Sequence, residues 1–224
     1  RHKHSIAVAG SHGKTTTTSL VGSILQECKK DPTIVNGGII NSFSSNNRFG
    51  LGKWMVVEAD EAYGSIKEFF PTIAVVTSID ADHLDYYNNV EEIGQTFLNF
   101  INKVPFYGSA IVCLDQVNIR QIIPQIERRY CTYGIETKAD VMATDIKHDG
   151  PASHFSVLAH GDLLGRIHLK MPGKHNVSNA LAAIAAGLQM DLPFSQVTDA
   201  LEEFRGVHRR FEILGEVQDI IIVD

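Results

Sequence analysis

The sequence predicts an α/β fold: a mostly parallel sheet flanked by helices, plus a small antiparallel β-sheet. Short, near-continuous apolar runs at 6–9, 54–57, 73–76 and 110–114 alternate with stretches of helical periodicity. Strands that are buried on both faces have this pattern, and helices usually connect them, so the pattern indicates a parallel sheet. After residue 140, three stretches with partial alternation are joined by short turns, which predicts the antiparallel part.

Hydrophobic periodicity and the positions of Gly and Pro predict the bounds of each element. The predicted strands are 6–9, 33–36, 54–57, 73–77, 110–115, 130–134, 141–147, 154–159, 163–171, 211–215 and 218–223. The predicted helices are 19–30, 90–102, 117–129, 177–190 and 196–204. The Ser-, Asn- and Gly-rich segment 41–52 is interpreted as an exposed loop. We therefore expect a parallel α/β core (1–139), an antiparallel subsheet (140–171), and helices with closing strands (172–224).

The composition is that of a globular protein and argues against two classes of partner. Of the 224 residues, 44% are hydrophobic and 21% are charged, which is ordinary for a folded domain. The net charge of −6 argues against nucleic acid, because binding along its backbone needs a basic surface. No stretch is apolar for long enough to predict membrane insertion. Three scattered cysteines without metal-ligand spacing indicate reduced thiols in a cytoplasmic protein.

A phosphate-binding loop is predicted directly after the first strand. Residues 10–16 read Gly-Ser-His-Gly-Lys-Thr-Thr. The backbone N–H groups of such a turn, together with the N-terminus of the helix that follows, favour an anion. Lys14 is expected to reach the terminal phosphates of a nucleotide, and the hydroxyl of Thr15 is expected to ligate Mg²⁺. The sheet is therefore predicted to be of the P-loop type.

The spacing of this loop departs from the common form. The pattern G-x-x-x-x-G-K-[ST] would require a glycine where this chain has Val8, and the chain instead has the shorter G-x-x-G-K-T. An ordinary strand-to-helix turn with a capping threonine is the alternative interpretation.

Acidic residues follow two of the predicted strands. Glu58 ends the strand at 54–57 and is predicted to serve Mg²⁺, because ligands of open α/β sheets bind at the carboxyl ends of strands. For Asp60 and Glu61, a solvated turn is an equally open interpretation. The acids around His83, after the strand at 73–77, are suited either to a second divalent ion or to a solvated turn.

The first turn of the Ala-rich helix carries His175, Asn176 and Asn179. Polar side chains at a helix N-terminus are suited to hydrogen bonding with a purine edge. An asparagine there is also a common helix cap, and that alternative stays open.

The order of these motifs resembles the central ATPase domain of the Mur ligase family. The resemblance covers essentially the whole chain and rests on 10–16, Glu58-Ala59-Asp60-Glu61, Asp82-His83-Leu84-Asp85, His175-Asn176 with Asn179, and Arg209-Arg210-Phe211-Glu212. It implies that Lys14, Glu58 and His83 are catalytic and that Thr15, Glu58 and His83 hold metal. It also implies an ATP site made of Gly10, Ser11, His12, Gly13, Lys14, Thr15, Thr16, His175, Asn179 and Arg210.

The resemblance further implies a reaction. The family member most similar to this chain joins L-alanine to UDP-N-acetylmuramate through an acyl phosphate, with ATP and Mg²⁺, in peptidoglycan synthesis. An N-terminal UDP-binding domain and a C-terminal amino-acid-binding domain would then lie outside this chain, so the fragment alone is expected to be inactive. The alternatives are a sister ligase that attaches a preformed peptide to the same sugar nucleotide, and a non-catalytic module that senses ATP.

Three positions depart from the family pattern. Ala62-Tyr63 stands where relatives usually have Ser-Asp, and Ser78 stands where many have Asn. Some relatives hold the second metal with a carbamylated lysine, but no lysine lies between Lys67 and Lys103. We therefore expect an altered substrate contact at 62–63, and either a different ligand for a second metal or weak binding of that metal.

Overall fold

A computed structural model describes residues 3–40, 45–61, 66–80, 87, 89–206, 213–217 and 220–223. Within these ranges, helices and strands follow one another along the chain as β1 (His4–Ala9), α1 (Lys14–Glu27), β2 (Thr33–Ile40), β3 (Ser45–Arg48), β4 (Trp54–Glu58), β5 (Ile73–Val76), α2 (Val90–Asn102), β6 (Ser109–Cys113), α3 (Val117–Ile122), β7 (Tyr130–Gly134), β8 (Val141–Asp149), β9 (Ala152–Ala159), β10 (Asp162–Leu169), α4 (Lys174–Gln189), α5 (Phe194–Glu203), β11 (Ile213–Val217) and β12 (Ile220–Val223).

Ten of these strands form a single sheet in the order β10-β9-β8-β7-β6-β5-β1-β4-β2-β3. Every pairing from β8 across to β2 is parallel. The four residues of β1 from Ile6 to Ala9 are fully buried, as expected for a strand covered on both faces. The predicted α/β fold, with its mostly parallel sheet flanked by helices, is confirmed.

The helices cover both faces of the sheet. The chain moves from β1 through α1 toward one edge of the sheet, and from β5 through α2 toward the other edge. Because such crossovers are right-handed, α1 and α2 lie on opposite faces. Helices α4 and α5 pack beside α1, whereas α3 packs beside α2. The small residues of α4, such as Ala180 and Ala183, are fully buried in this contact layer.

The antiparallel strands continue the main sheet. β8 pairs in parallel with β7, and then β9 and β10 add antiparallel strands to the edge. His160 and Gly161, between β9 and β10, both have positive φ angles, 51° and 95°. Two such residues make the tight turn whose twist suits a hairpin. A separate antiparallel pair, β11 with β12, lies near the end of the chain.

Two predicted elements are wrong in part. Within the predicted loop 41–52, the polar segment Ser45–Arg48 is strand β3, which pairs antiparallel with β2. The helix predicted at 117–129 ends at Ile122 and continues only as a 3₁₀ turn, Ile123–Gln125. Pro124 lacks the N–H group that would continue an α-helix, which explains the early end.

Among the described residues, no helix is long and apolar enough to cross a membrane. All three cysteines are free and buried. Burial raises the pKa of the Cys131 thiol to about 12, so this thiol stays protonated and unreactive near neutral pH.

Candidate nucleotide and metal site

The site lies at the topological switch point of the sheet, where successive strands are added toward opposite edges. β1 is the strand between β4, which leads toward one edge, and β5, which leads toward the other. In open parallel sheets, ligands bind in the crevice beyond the carboxyl ends of the strands at such a switch point. The predicted phosphate loop follows β1 directly and therefore occupies this crevice.

The end of β5 fixes the shape of the phosphate loop through three hydrogen bonds. Ser11 N donates to Ser78 O at 3.1 Å, and His12 N donates to Ser78 Oγ at 2.9 Å. Asp80 N donates to Ser11 Oγ at 2.8 Å. Gly10, at φ 137°, passes so close that a Cβ there would lie 2.2 Å from Thr77 Oγ1. A glycine is therefore needed at this point.

Helix α1 begins at Lys14, after Gly13 in the left-handed conformation with φ 83°. Helix α4 brings Asn179 directly against this point, because a Cβ on Gly13 would lie 2.4 Å from Asn179 Oδ1. Thr17 Oγ1 lies 3.4 Å from the same Asn179 oxygen. The predicted adenine-pocket residue Asn179 thus borders the phosphate loop itself.

Thr15 and Glu58 lie side by side next to the phosphate loop. Thr15 Oγ1 donates to Glu58 Oε1 at 3.1 Å, and Gly37 N donates to Glu58 Oε2 at 2.7 Å. A hydroxyl and a carboxylate side by side at a phosphate loop are hard oxygen ligands of the kind Mg²⁺ prefers. Among the described residues, no three His, Cys, Asp or Glu side chains form a metal cluster. This sparse donor set fits Mg²⁺, which keeps several waters and takes substrate phosphate oxygens.

Two buried hydrogen bonds link Thr15 to β2 through Ser19. Asn36 Nδ2 donates to Ser19 Oγ at 2.8 Å, and Ser19 Oγ donates to Thr15 O at 2.8 Å. Within the described part of the chain, Asn36 Oδ1 is buried without a hydrogen-bond partner. The middle of β2 is thereby tied to the helix turn that carries the Thr15 hydroxyl.

Lys14 has a buried carboxylate partner. Its Nζ lies 3.0 Å and 2.9 Å from the two carboxylate oxygens of Glu61, and 3.7 Å from Asp60 Oδ1. The side chains of Lys14 and Glu61 are only 14% and 3% exposed. Tyr87 Oη donates to the backbone oxygen of Glu61 at 2.7 Å. Of the two open interpretations of Glu61, the structure therefore contradicts the solvated turn.

A cavity of about 760 Å³ extends from the phosphate loop toward the N-terminus of α4. His12, Gly13 and Thr16 line one side, and His175 and Asn179 line another. This volume is within the usual range for small-molecule and cofactor sites, roughly 300–1,000 Å³. The cavity is therefore large enough for a nucleotide that reaches from the loop to α4.

The far wall of the cavity is held by Asp115, which the sequence did not single out. Its carboxylate accepts hydrogen bonds from the backbone N–H groups of Ile135, Glu136 and Thr137 at 2.6, 3.1 and 2.8 Å. Lys174, at the start of α4, forms an ion pair with Glu136 across the cavity mouth. Asp115 thus positions the β7–β8 connection as a wall of the site.

One buried ionisable group in the lining of the cavity, and a second one next to it, stay neutral near neutral pH. Cys113 lines the cavity, and burial raises the pKa of its thiol. Tyr133 is fully buried next to it, and this burial raises the pKa of the phenol well above its usual value. Neither group is therefore suited to act as a base near neutral pH.

The structure brings together most of the residues that the sequence singled out. Those found around the loop and cavity are Gly10, Ser11, His12, Gly13, Lys14, Thr15, Thr16, Glu58, His175 and Asn179. His83 and Arg210 lie outside the described residues, as do Ala62-Tyr63. Sequence reasoning missed Asp115, and it missed the roles of Glu61 and Gly37. The signal for Glu61 was its position three residues after the strand-terminal acid.

Comparisons with known proteins agree with this geometry. The Mur ligase middle domain matches residues 8–187. The chain is 53% identical over 224 residues to a UDP-N-acetylmuramate–L-alanine ligase of Geotalea uraniireducens, covering all of this chain and 49% of that protein. The chain spans about half the length of the curated relatives it matches.

Two solved structures share the fold along most of the chain. The UDP-N-acetylmuramate–alanine ligase of Thermotoga maritima has 31% identity and a TM-score of 0.87, covering 99% of this chain and 50% of that one. The UDP-N-acetylmuramate:L-alanyl-γ-D-glutamyl-meso-diaminopimelate ligase of Neisseria meningitides has 25% identity and a TM-score of 0.83, covering 93% and 68%.

Proposed function

This chain belongs to the Mur ligase family, and we propose that it is the ATP-binding middle part of an enzyme that joins L-alanine to UDP-N-acetylmuramate. One observation carries the proposal. A phosphate loop at the switch point of the sheet opens onto a nucleotide-sized cavity, with Lys14, Thr15 and Glu58 beside it. The similarity to alanine-adding ligases along the whole chain supports the choice of substrate.

The proposal gives each residue group a role in binding ATP. The N–H groups of the loop and of the first turn of α1 hold the phosphates, and Lys14 contacts the terminal ones. His175 and Asn179, on α4, line the cavity and are assigned to the adenine pocket, and Asn179 also borders the phosphate loop. Arg210 belongs to the same proposed ATP site and lies outside the described residues.

Thr15 and Glu58 would hold Mg²⁺, which supplies positive charge between the phosphates and an incoming carboxylate. The resemblance adds His83 for a second metal, and His83 lies outside the described residues. These cations are needed because an anionic carboxylate must approach an anionic phosphate.

The proposed reaction activates a carboxylate before the amide forms. A muramoyl carboxylate oxygen attacks the γ-phosphorus of ATP, which gives an acyl phosphate and ADP. The amine of L-alanine then attacks the acyl carbon, and the tetrahedral intermediate expels inorganic phosphate and loses a proton. Phosphate is a far better leaving group than the oxide of a free carboxylate, which explains the cost of one ATP.

The proposal extends beyond the described chain. It includes a UDP-binding domain on the N-terminal side and an amino-acid-binding domain on the C-terminal side, in keeping with relatives about twice as long. It also includes a cytoplasmic location and a role in peptidoglycan synthesis, and hence in cell shape and division.

The second candidate is a sister ligase that attaches a preformed peptide to UDP-N-acetylmuramate. The Neisseria ligase, whose name describes such a substrate, shares the fold of this chain at 25% identity. Assaying phosphate release by the full-length protein with L-alanine and with the tripeptide separates the two candidates. Absence of turnover with either would leave a module that binds ATP without catalysis.

Lys14→Ala in the full-length enzyme tests the phosphate-loop assignment. We expect ligase turnover to fall by at least about a hundredfold, because the terminal phosphates lose their fixed cation. Phosphate release is the measurement, and Lys147→Ala, an exposed lysine on β8, is the control. Because Lys14→Ala removes the ammonium group that pairs with the buried Glu61 carboxylate, thermal unfolding is followed in parallel. Turnover above a few per cent of wild type in a folded variant would refute the assignment.

A further inference from the structure

The cation of the phosphate loop is already neutralised inside the protein. Both carboxylate oxygens of Glu61 lie within 3.0 Å of Lys14 Nζ, and both side chains are largely withdrawn from water. A pair this deeply buried is unlike a surface ion pair, since removing one partner leaves an uncompensated charge. The phosphates of a nucleotide must therefore compete with a carboxylate for the same ammonium group.

Glu61 is also held independently of Lys14. The buried phenol of Tyr87 donates to the backbone oxygen of Glu61 at 2.7 Å. This contact fixes the main chain that carries the carboxylate, whichever partner the lysine takes. The carboxylate thus stays in place while a nucleotide is bound and is available to the lysine again when the nucleotide leaves.

From this geometry we propose that Glu61 sets the nucleotide affinity of the site by competing with phosphate for Lys14. The inference rests on the proposed ATP-binding function. It assigns to Glu61 the role of weakening nucleotide binding. A carboxylate close to the path of the terminal phosphates repels them and stabilises the empty form through its pair with the lysine. Weaker binding favours release of the nucleotide product after each turnover.

Glu61→Gln in the 224-residue chain is the test. The amide keeps the size and hydrogen-bonding capacity of the side chain but removes its charge. We expect the unliganded variant to melt at a lower temperature than wild type. We expect its Kd for ADP and for ATP, measured by isothermal titration calorimetry with Mg²⁺, to be roughly tenfold lower than that of wild type. The corresponding gain in binding free energy is a fraction of what breaking a buried ion pair costs.

Asp31→Asn is the matched control. It breaks the partly exposed ion pair of Asp31 with Arg48 (2.7 Å), which lies just before β2 and away from the phosphate loop. It should lower the melting temperature and leave the Kd for nucleotide unchanged. A purely structural role for Glu61 would give the same pattern as this control. The conservative Glu61→Asp keeps the charge and is expected to bind nucleotide within about threefold of wild type, and it serves if Glu61→Gln does not fold.

The outcomes separate this inference from the function on which it rests. If wild type binds ADP or ATP and Glu61→Gln binds them equally or more weakly, competition by Glu61 is refuted and the ATP site stands. If Glu61→Gln does not fold and Glu61→Asp binds tenfold more weakly than wild type, the inference is also refuted. If wild type binds neither nucleotide, the proposed function fails and the inference fails with it.

Discussion

At the scale of single residues, the phosphate loop depends on partners that its own sequence does not contain. Ser78, one of the departures from the family pattern, lines the cavity beside the loop. Its hydroxyl oxygen accepts the N–H of His12, and its backbone oxygen accepts the N–H of Ser11. Ser78 therefore stabilises the shape of the phosphate loop.

Ser78→Ala should weaken nucleotide binding. The loss of one buried hydrogen bond is worth about 1 kcal/mol, so we expect the Kd for ADP to rise roughly fivefold. Calorimetric titration of the 224-residue chain measures it. Ser109→Ala is the control, because the hydroxyl of Ser109 donates to the adjacent Ala110 oxygen at the start of β6. Unchanged affinity in Ser78→Ala would show that the loop keeps its shape without this bond.

At the scale of elements, the junction of β1 and α1 combines a conformational and a steric requirement at Gly13. A side chain there would adopt a left-handed conformation and would also collide with Asn179. Gly161, in the β9–β10 turn, has a similar φ of 95° but nothing within 4 Å of an added Cβ. Substitutions at Gly13 and Gly161 can therefore be compared to distinguish the effect of backbone strain from that of displacing Asn179.

Gly13→Ala and Gly161→Ala should both lower the free energy of unfolding by about 1–2 kcal/mol, the cost of a left-handed alanine. Only Gly13→Ala should also weaken ADP binding, by more than about tenfold, because it displaces Asn179 from the cavity wall. Denaturant unfolding and nucleotide titration give the two quantities. Equal nucleotide affinities in the two variants would contradict the steric part of the argument.

The sequence predicts those elements whose signal is local. The apolar run of β1 and the Gly-Lys-Thr turn identify the loop without further information, and Pro124 explains why α3 is short. Strand β3 has the composition Ser-Asn-Asn-Arg, which carries no strand propensity, so only its pairing with β2 reveals it. The pairing of Lys14 with Glu61 requires that β4 lie beside β1, and the order of strands is not written in any local pattern.

At the scale of the whole molecule, the described chain contains the expected nucleotide site but spans only about half of its relatives' length. The remaining half is where the proposal puts the sugar-nucleotide and amino-acid domains. Catalysis by positioning requires that all reactants be held together, so a domain holding one of three reactants lacks most of the effect.

The 224-residue chain should therefore bind ADP and ATP and form almost no amide product. Chromatographic detection of product from UDP-N-acetylmuramate, L-alanine and ATP measures this, with the full-length protein as the positive control. We expect a rate below about one thousandth of the full-length rate, because the effective concentration of the other reactants is lost. A rate within tenfold of full length would contradict the proposed division of labour.

The anchoring of the phosphate loop by distant residues also has a consequence for biosynthesis. The side-chain bonds that shape the loop join residues 66 and 69 positions apart, and the contact of Thr17, just after the loop, with Asn179 of α4 spans 162 positions. On the ribosome, residues 10–13 emerge long before their supports do, and parallel strands pair late because their contacts are non-local. The loop that opens the chain is thus completed only when α4 has been made, so nucleotide binding reports that nearly the entire chain has folded.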